Sequence, residues 1–429
     1  MRELISFLSL SDPNVRFVVI GMVLLGASAG IVGCFTFLRK RALVGDAIAH
    51  SVLPGVCLAF MFWGTKNPIV LLIGALISGW LSLITIDYIT AKSRIKTDAA
   101  IGLVLSVFFG IGIMLLTAIQ HSGNAAQSGL DKFLFGKAAA MVGNDLYVFG
   151  ALSVVLIIVV VTFFKAFTLI SFDRDFAQAI GLPVRALEVL LSTITVLAVA
   201  VGIQAVGVVL MSAMLITPAA AARYWTERIE VMVILAAIFG ALSGIVGAYI
   251  SYVAANMPTG PWVVVALSGI AIASMFIAPN RGIIAKYRLQ QNNKNQMLEE
   301  NVLKIFYQLG EKDKQFTTPR SKVALQKRRP FSMTLITKGL QRLRKKAWVI
   351  KEGDNWQLTE KGKIKAQRLV RIHRLWEVYL NQYLHIAPDH VHDTAEAIEH
   401  IITPELEIEL EKLLNYPPTD PHNKQIPYA

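Results

Sequence analysis

The sequence has little charge and almost no cysteine. Asp, Glu, Lys and Arg make up 17% of its 429 residues, against about a quarter in soluble proteins of ordinary composition. Mean hydropathy is +0.53 and 54% of residues are hydrophobic, which excludes a water-soluble fold along the whole chain. The two cysteines, Cys34 and Cys57, lie in apolar runs. They are too few for a disulfide framework and not spaced as a zinc site, so buried, inert thiols are expected. No Gly-x-x-x-x-Gly-Lys-Ser/Thr phosphate loop occurs; the chain is not expected to be an enzyme or to hydrolyse ATP by itself. The opening "MRELISFLSLSDPNVRF" lacks a basic segment followed by a short apolar core and a small-residue cleavage site, and no cleaved signal peptide is expected.

Long apolar runs, by contrast, fill the chain up to Pro279. Runs of about 20 such residues are long enough to span a bilayer. Candidate spans fall at roughly 15–38, 43–62, 68–91, 98–119, 146–164, 187–205, 207–222, 231–255 and 262–278. The stretch 187–222 reads as two short helices or one broken one, which gives about eight or nine spans. After Arg281 the text turns polar and basic, "RGIIAKYRLQQNNKNQMLEE". The fold class expected is an all-α polytopic membrane protein with a C-terminal soluble winged helix and a helical metal-binding and dimerisation part. The expected domains are a membrane domain over 1–280, a linker over 281–296, a winged helix-turn-helix over 297–374 and the helical part over 375–429. Positive loops lie on the cytoplasmic side of membrane proteins. With nine spans, "RKR" (39–41), "AKSRIK" (91–96), the 165–186 loop and the C-terminal part are all cytoplasmic.

Within "RALVGDAIAHSVLPG", Asp46 and His50 stand four residues apart and so share one helix face. A carboxylate at membrane depth normally faces a protein interior or a wet cavity. One reading is a satisfied pair that serves structure alone. The other is a transient cation site, since one carboxylate oxygen and one imidazole suit zinc or manganese. Pro54 and Gly55 follow directly, and a helix proline frees backbone carbonyls that can line a path. Further on, "FDRDFAQAIGLPV" reads as a short amphipathic helix stopped by Gly181 and Pro183. On pattern alone it is equally an ordinary interfacial helix.

The tail is polarised in charge. Residues 281–374 hold 24 basic and 7 acidic residues, and residues from 375 onward hold 2 and 10. A basic block suggests phosphate backbone or anionic lipid. "NQMLEENVLKIFYQLG" reads as a helix ended at Gly310. "PFSMTLITKGLQRLRKKAWV" reads as a second, capped by Ser332, with Leu335, Ile336, Leu340 and Leu343 as its apolar stripe. "WVIKEGDNWQLTEKG" reads as two short strands about a turn. Helices followed by a hairpin make a winged helix-turn-helix, whose second helix would turn Lys338, Arg342, Arg344, Lys345 and Lys346 towards phosphates. The alternative is a basic bundle facing the membrane. In "GKIKAQRLVRIHRLWEVYLNQYL", His373 and Glu377 are four apart; in "HVHDTAEAIEHII", His392, Glu396, Glu399 and His400 follow at i, i+4, i+7 and i+8. Each set lies on one helix face, as metal ligands or as a solvated polar surface.

Four stretches, "LRKRALVGDAIAHSVLPGV", "RIKTDAAIGLVLSVFFGIGI", "ISFDRDFAQAIGLPV" and "AVGVVLMSAMLITPAAAARYW", come in an order that resembles the permease subunits of ABC importers for zinc, manganese and iron. The resemblance implies a divalent metal, manganese or zinc and also iron, as substrate, with Asp46 and His50 on its pathway. It implies that Asp173, Arg174, Asp175, Phe176, Ile180 and Gly181 form the helix that docks on a separate ATPase subunit. It further implies an extracytoplasmic metal-binding protein, a permease homodimer, and residence in a bacterial inner (plasma) membrane with the tail cytoplasmic. It favours a metal site nearer the outer mouth, in conflict with the nine-span orientation. Residues 297–427, through "RIHRLWEVYL" and "VHDTAEAIEHIITPE", resemble the metal-dependent repressors of the DtxR and MntR group. Matched positions imply Glu300, Glu396, Glu399 and His400 in one metal site, with His373 bridging to it or joining Glu377 and His392 in a second. Glu396 stands where iron-sensing members have Cys, which tilts the preference towards manganese. Leu303 occupies the position of a second first-helix ligand and cannot coordinate. "TTPRSKVALQKRR" matches the first helix of a helix-turn-helix poorly, because Pro319 and a basic run interrupt it. The function expected is a metal importer permease with a metal-sensing regulatory tail. The alternatives are a membrane-tethered, metal-dependent DNA-binding regulator and a proton-driven carrier.

Overall fold

The computed structural model describes residues 2–39, 43–64, 67–121, 136, 143–254, 257–329, 331–386 and 403–428. The chain forms two compact units, Met1–Lys286 and Tyr287–Ala429.

Every regular element among the described residues of the first unit is a helix. After the short α1 (Arg2–Leu8) come α2 (Pro13–Leu38), α3 (Val44–Trp63), α4 (Pro68–Lys92) and α5 (Thr97–His121). Then follow α6 (Gly143–Thr162), α7 (Phe164–Phe172), α8 (Arg174–Ala179), α9 (Val184–Val206), α10 (Val208–Trp225), α11 (Ile229–Val253) and α12 (Thr259–Ile277). Local chemistry sets several starts. Asp12 and Asn67 cap α2 and α4 by accepting the N–H of Asn14 at 2.8 Å and of Ile69 at 3.0 Å, and each cap precedes a proline, the residue that loses least at the first helical position. Among the described residues, seven helices are long and apolar enough to cross a membrane, or eight if α6 and α7, bent by 68°, count as one broken span. The stretch 187–222 is two helices, parted at Gly207, whose φ of +92° suits a residue without a Cβ.

Small residues let these helices touch. A Cβ on Gly26 of α2 would lie 2.3 Å from the carbonyl oxygen of Gly240 on α11, and one on Gly240 would lie 2.1 Å from that of Gly26. Gly55 of α3 and Gly74 of α4 meet in the same way. Between helices in lipid, such close approach supplies the packing that the hydrophobic effect does not. The opposite faces carry exposed apolar residues, such as Ile73, Ile77, Leu81 and Ile84 on α4 and Leu103, Val107, Ile111 and Met114 on α5, a surface suited to hydrocarbon.

The second unit contains most of α13 (Ile283–Asp313), then α14 (Lys322–Arg328), α15 (Met333–Lys345), the strands β1 (Val349–Glu352) and β2 (Asn355–Leu358), α16 (Glu360–Tyr383) and α17 (Pro404–Leu413). The expected linker over 281–296 is thus helical from Ile283, and the helix runs through Gly310 instead of stopping there. The segment 322–328, which Pro319 was expected to disrupt, is a helix as well: Ser321 follows the proline and caps it by accepting the N–H of Ala324 at 3.2 Å. Ser332 caps α15 as expected. Its buried stripe is Ile336, Gly339, Leu340 and Leu343, whereas Leu335 is exposed; one residue is about 100° of helix, enough to carry it off the stripe. The strands pair antiparallel from Val349↔Leu358 to Glu352↔Asn355, closed by Gly353 and Asp354. Gly353 has φ +58°, which places the left-handed residue first, as in a type II′ hairpin. Leu303 is fully buried with Val302, Phe306, Leu325, Ile336 and Leu340 in the core of this unit. A ligating residue at that position would be lost from water in an apolar core, and leucine serves packing there.

Candidate functional site

Asp46 lies in the first turn of α3 and His50 one turn on. His50 Nε2 stands 3.6 Å from Asp46 Oδ1, within ion-pair reach but beyond a hydrogen bond. The other imidazole nitrogen, Nδ1, is buried and has no hydrogen-bond partner. Phe109 meets the ring edge-on at 4.8 Å. Pro54, inside the helix, has no N–H, so the helical bond that would reach the His50 carbonyl is missing. The next carbonyl, Ser51, is taken by the Ser78 hydroxyl at 2.6 Å. One carboxylate, one imidazole and one carbonyl therefore stand at the start of α3, with the imidazole left unsatisfied on its buried side.

The segment 173–182 is a tight, self-capped corner. Asp173 accepts the N–H of Phe176 at 2.9 Å, Leu182 N–H closes back on the Ala177 carbonyl at 3.1 Å, and Gly181 turns the chain at φ +86°. Ala177 is fully buried, while Phe176 and Ile180 are 53% and 54% exposed. Arg174 is fixed from below: its Nη2 lies 3.2 Å from Glu188 Oε2, and Glu188 Oε1 takes Arg39 at 2.9 Å. Glu188 thus ties this corner to the end of α2, from which the chain passes to α3. Asp46 and His50, in the first turns of α3, lie towards that same end of the unit.

In the second unit, His373 and Glu377 are buried on one face of α16, with Nε2 and Oε1 3.1 Å apart. Glu300, buried on α13, accepts the Gln296 amide at 3.0 Å. The segment with His392, Glu396, Glu399 and His400 lies outside the described residues. His373 and Glu377 fit a metal by their chemistry, a neutral imidazole nitrogen and a carboxylate oxygen one helical turn apart.

Residues 11–278 match the ABC 3 transport family, more than half of the chain. The chain belongs to that family. Residues 359–428 of this permease also match the metal binding and dimerisation domain of the iron dependent repressors. It is 44% identical to the manganese transport system membrane protein MntC of Bacillus subtilis, over 89% of this chain and 87% of that protein. It is 42% identical to the zinc transport system membrane protein TroC of Treponema pallidum, over 68% of this chain and 97% of that protein. Among solved structures, the PsaBC complex of Streptococcus pneumoniae matches with a TM-score of 0.58 at 34% identity, over 65% of this chain and 97% of the other.

The basic helix of the permease is less free than its sequence implied. Glu299, 1% exposed, takes Arg342 Nε at 2.6 Å and Lys346 Nζ at 2.5 Å. Lys338, Arg344 and Lys345 are exposed. Further along, the two charge blocks meet. Glu407 takes Arg368 and Arg371, each at 2.6 Å, Glu411 lies 3.1 Å from Arg371, and Arg374 is held by Glu311 at 2.7 Å and Asp420 at 3.6 Å. Sequence reasoning missed Glu188, Glu299, Glu407, Asp420 and His422. No spacing marks the first three, because their partners come from other helices. Asp420 and His422 in "TDPHN" were two ligand-type residues in a loop, away from the helical faces that carried the pattern.

Proposed function

We propose that this permease carries a divalent transition metal, manganese or zinc with iron as the further candidate, inward across a bacterial plasma membrane. Transport is driven by a separate ATPase subunit. Two permease chains enclose the path, and an extracytoplasmic metal-binding protein delivers the ion. The metal passes Asp46 and His50. The exposed Phe176 and Ile180, braced by Asp173, Arg174, Asp175 and Gly181, take up the motion of the ATPase. The relatives named for manganese and zinc transport support the substrate class.

The observation that carries this reading is the state of His50. A pair kept for structure alone would close into a hydrogen bond and leave no buried nitrogen bare, because an unsatisfied buried polar atom costs about 1–3 kcal/mol. Here Nε2 stops 3.6 Å from the carboxylate and Nδ1 is unpartnered. An imidazole that meets a passing cation accounts for that cost, and a site of few ligands releases what it binds. In proteoliposomes holding the permease with its ATPase, Asp46→Asn and His50→Ala should each slow ATP-driven manganese or zinc uptake by at least about tenfold, with folding intact. Normal uptake in both variants rejects the reading.

The tail is the regulatory part: 297–374 a winged helix-turn-helix, reached through 281–296, and 375–429 the helical metal-binding part. Metal on the cytoplasmic side is held by Glu300, His373, Glu377, His392, Glu396, Glu399 and His400, and its binding slows the permease domain, 1–280. The rival reading, a tethered DNA-binding regulator, is weakened by the commitment of Arg342 and Lys346 to Glu299.

A further inference from the structure

A groove of about 820 Å³ runs between α4 and α9, and neither Asp46 nor His50 lines it. Trp80 of α4 donates its ring N–H to the Thr193 hydroxyl of α9 at 3.1 Å and ties the two helices together. Eight residues lead from Trp80 on to Tyr88 in α4, and eight from Thr193 back to Arg185 in α9. Tyr88 and Arg185 both line the groove. Each therefore stands about 12 Å along its helix from that bond, near the end of α4 and the start of α9.

The walls change character along this length. On α4, Ile73, Ile77, Trp80, Ile84 and Tyr88 recur every three or four residues and are all exposed. They form one helix face, of the kind that meets hydrocarbon. Near the helix ends the lining is charged. Arg39, Arg174 and Arg185 stand against Asp87 and Glu188, so one positive charge is left over. Arg39 and Arg174 share Glu188, at 2.9 and 3.2 Å. The Arg185 side chain is exposed and makes no ion pair or hydrogen bond among the described residues. A guanidinium fork matches two oxygens of a phosphate, and tyrosine is favoured at the level where membrane meets water. A free anion would fill only the charged mouth; the apolar length beyond it fits a hydrocarbon chain.

We propose that this groove holds an anionic phospholipid of the cytoplasmic leaflet. Its phosphate sits at Arg174 and Arg185, and one acyl chain lies along Ile84 and Trp80. Basic recesses between spans on that side of a membrane bind anionic headgroups. The lipid braces the corner 173–182 from the membrane side, through Arg174 and the Glu188 that holds it. The proposal rests on the transport reading only for which leaflet is cytoplasmic.

The test uses the permease with its ATPase in phosphatidylcholine nanodiscs. Small fractions of phosphatidylglycerol or phosphatidylcholine with brominated acyl chains are added, because bromine quenches a tryptophan that it touches. Brominated phosphatidylglycerol should quench saturably and well beyond brominated phosphatidylcholine at equal mole fraction, and the difference should vanish in Trp80→Phe. Arg185→Gln should raise the half-saturating fraction at least about fivefold. It should leave the melting temperature in pure phosphatidylcholine unchanged, because no described partner is lost. Arg185→Lys, which keeps the charge without the fork, should recover part of the affinity. Equal quenching by the two lipids, or an unshifted half-saturation in Arg185→Gln, overturns the proposal. So does relief of the quenching by inorganic phosphate, which would make the ligand a free anion. Quenching in the permease alone that disappears once the ATPase is added would make the groove a protein interface and overturns it too. A nanodisc presents both leaflets and no metal is moved in it, so failure of the transport reading leaves the result standing.

Discussion

Glu299 sits at 1% exposure with two cations on it. Its partners Arg342 and Lys346 are partly exposed, so screening limits what the pairs contribute to stability, to about 1 kcal/mol. Their larger effect is on what the helix offers to others. Glu299→Ala should release both cations, strengthen salt-dependent binding of duplex DNA by the full-length protein and steepen its salt slope; fluorescence anisotropy across a salt series measures both. A wild-type protein that already binds an operator as tightly would instead favour the DNA-binding reading. Glu227, in the turn before α11, shows the opposite balance. Its carboxyl is held below the ordinary range by the hydrogen bond to Arg281, 2.7 Å away, and by that residue's charge, yet both are exposed. The lowered value means its contribution is present above the unfolded carboxylate range, about 4.3, and is lost as pH falls through the folded value. Glu227→Gln should therefore lower the melting temperature slightly at neutral pH and leave it unchanged at the acid end, which flattens the acid side of the stability profile, as thermal melts from pH 3 to 7 would show.

Elements add constraints that no single residue carries. The corner 173–182 is only a six-residue helix with its flanks, yet it presents Phe176 and Ile180 on a backbone locked by Asp173 and Gly181. Apolar anchors on a rigid element are what a docking groove reads. Phe176→Ala with Ile180→Ala should weaken capture of the ATPase subunit by at least about thirtyfold, the equivalent of 2 kcal/mol, without lowering the melting temperature of the isolated permease. Co-purification and ATPase assays read the two effects separately. At the α2–α11 crossing, Gly240→Val would drive a side chain into the Gly26 carbonyl, 2.1 Å from where its Cβ would sit. The obstacle is backbone, which cannot rotate away, so a loss of more than about 3 kcal/mol is expected, seen as loss of the monodisperse protein in detergent.

Across the whole molecule, one chain carries both a candidate metal path and a candidate metal sensor. If product metal restrains its own entry, Glu399→Ala with His400→Ala should raise uptake at high internal metal and leave the initial rate at low metal unchanged. Inside-loaded vesicles make that comparison, and equal uptake at both loads rejects feedback. The charge distribution belongs to the same scale. Along the chain, a basic block precedes an acidic one. In the fold, Arg368, Arg371 and Arg374 are matched by Glu407, Glu411 and Asp420, so part of the basic character is neutralised inside the unit.

The chain alone determined what depends on neighbours a few residues away. Apolar runs mark the spans because a bilayer demands length and apolarity. Asp12, Asn67, Ser321 and Ser332 cap their helices, the hairpin turns at Gly353, and the pairs Asp46–His50 and His373–Glu377 follow from the helical repeat. Tertiary structure alone decided what depends on meeting. The capture of Arg342 and Lys346 by Glu299, the Glu188 tie between Arg39 and Arg174, and the gathering of Asp420 and His422 onto Glu377 join residues far apart in sequence. Coulomb attraction and packing act through space, and no periodicity along a chain records which distant side chain will arrive.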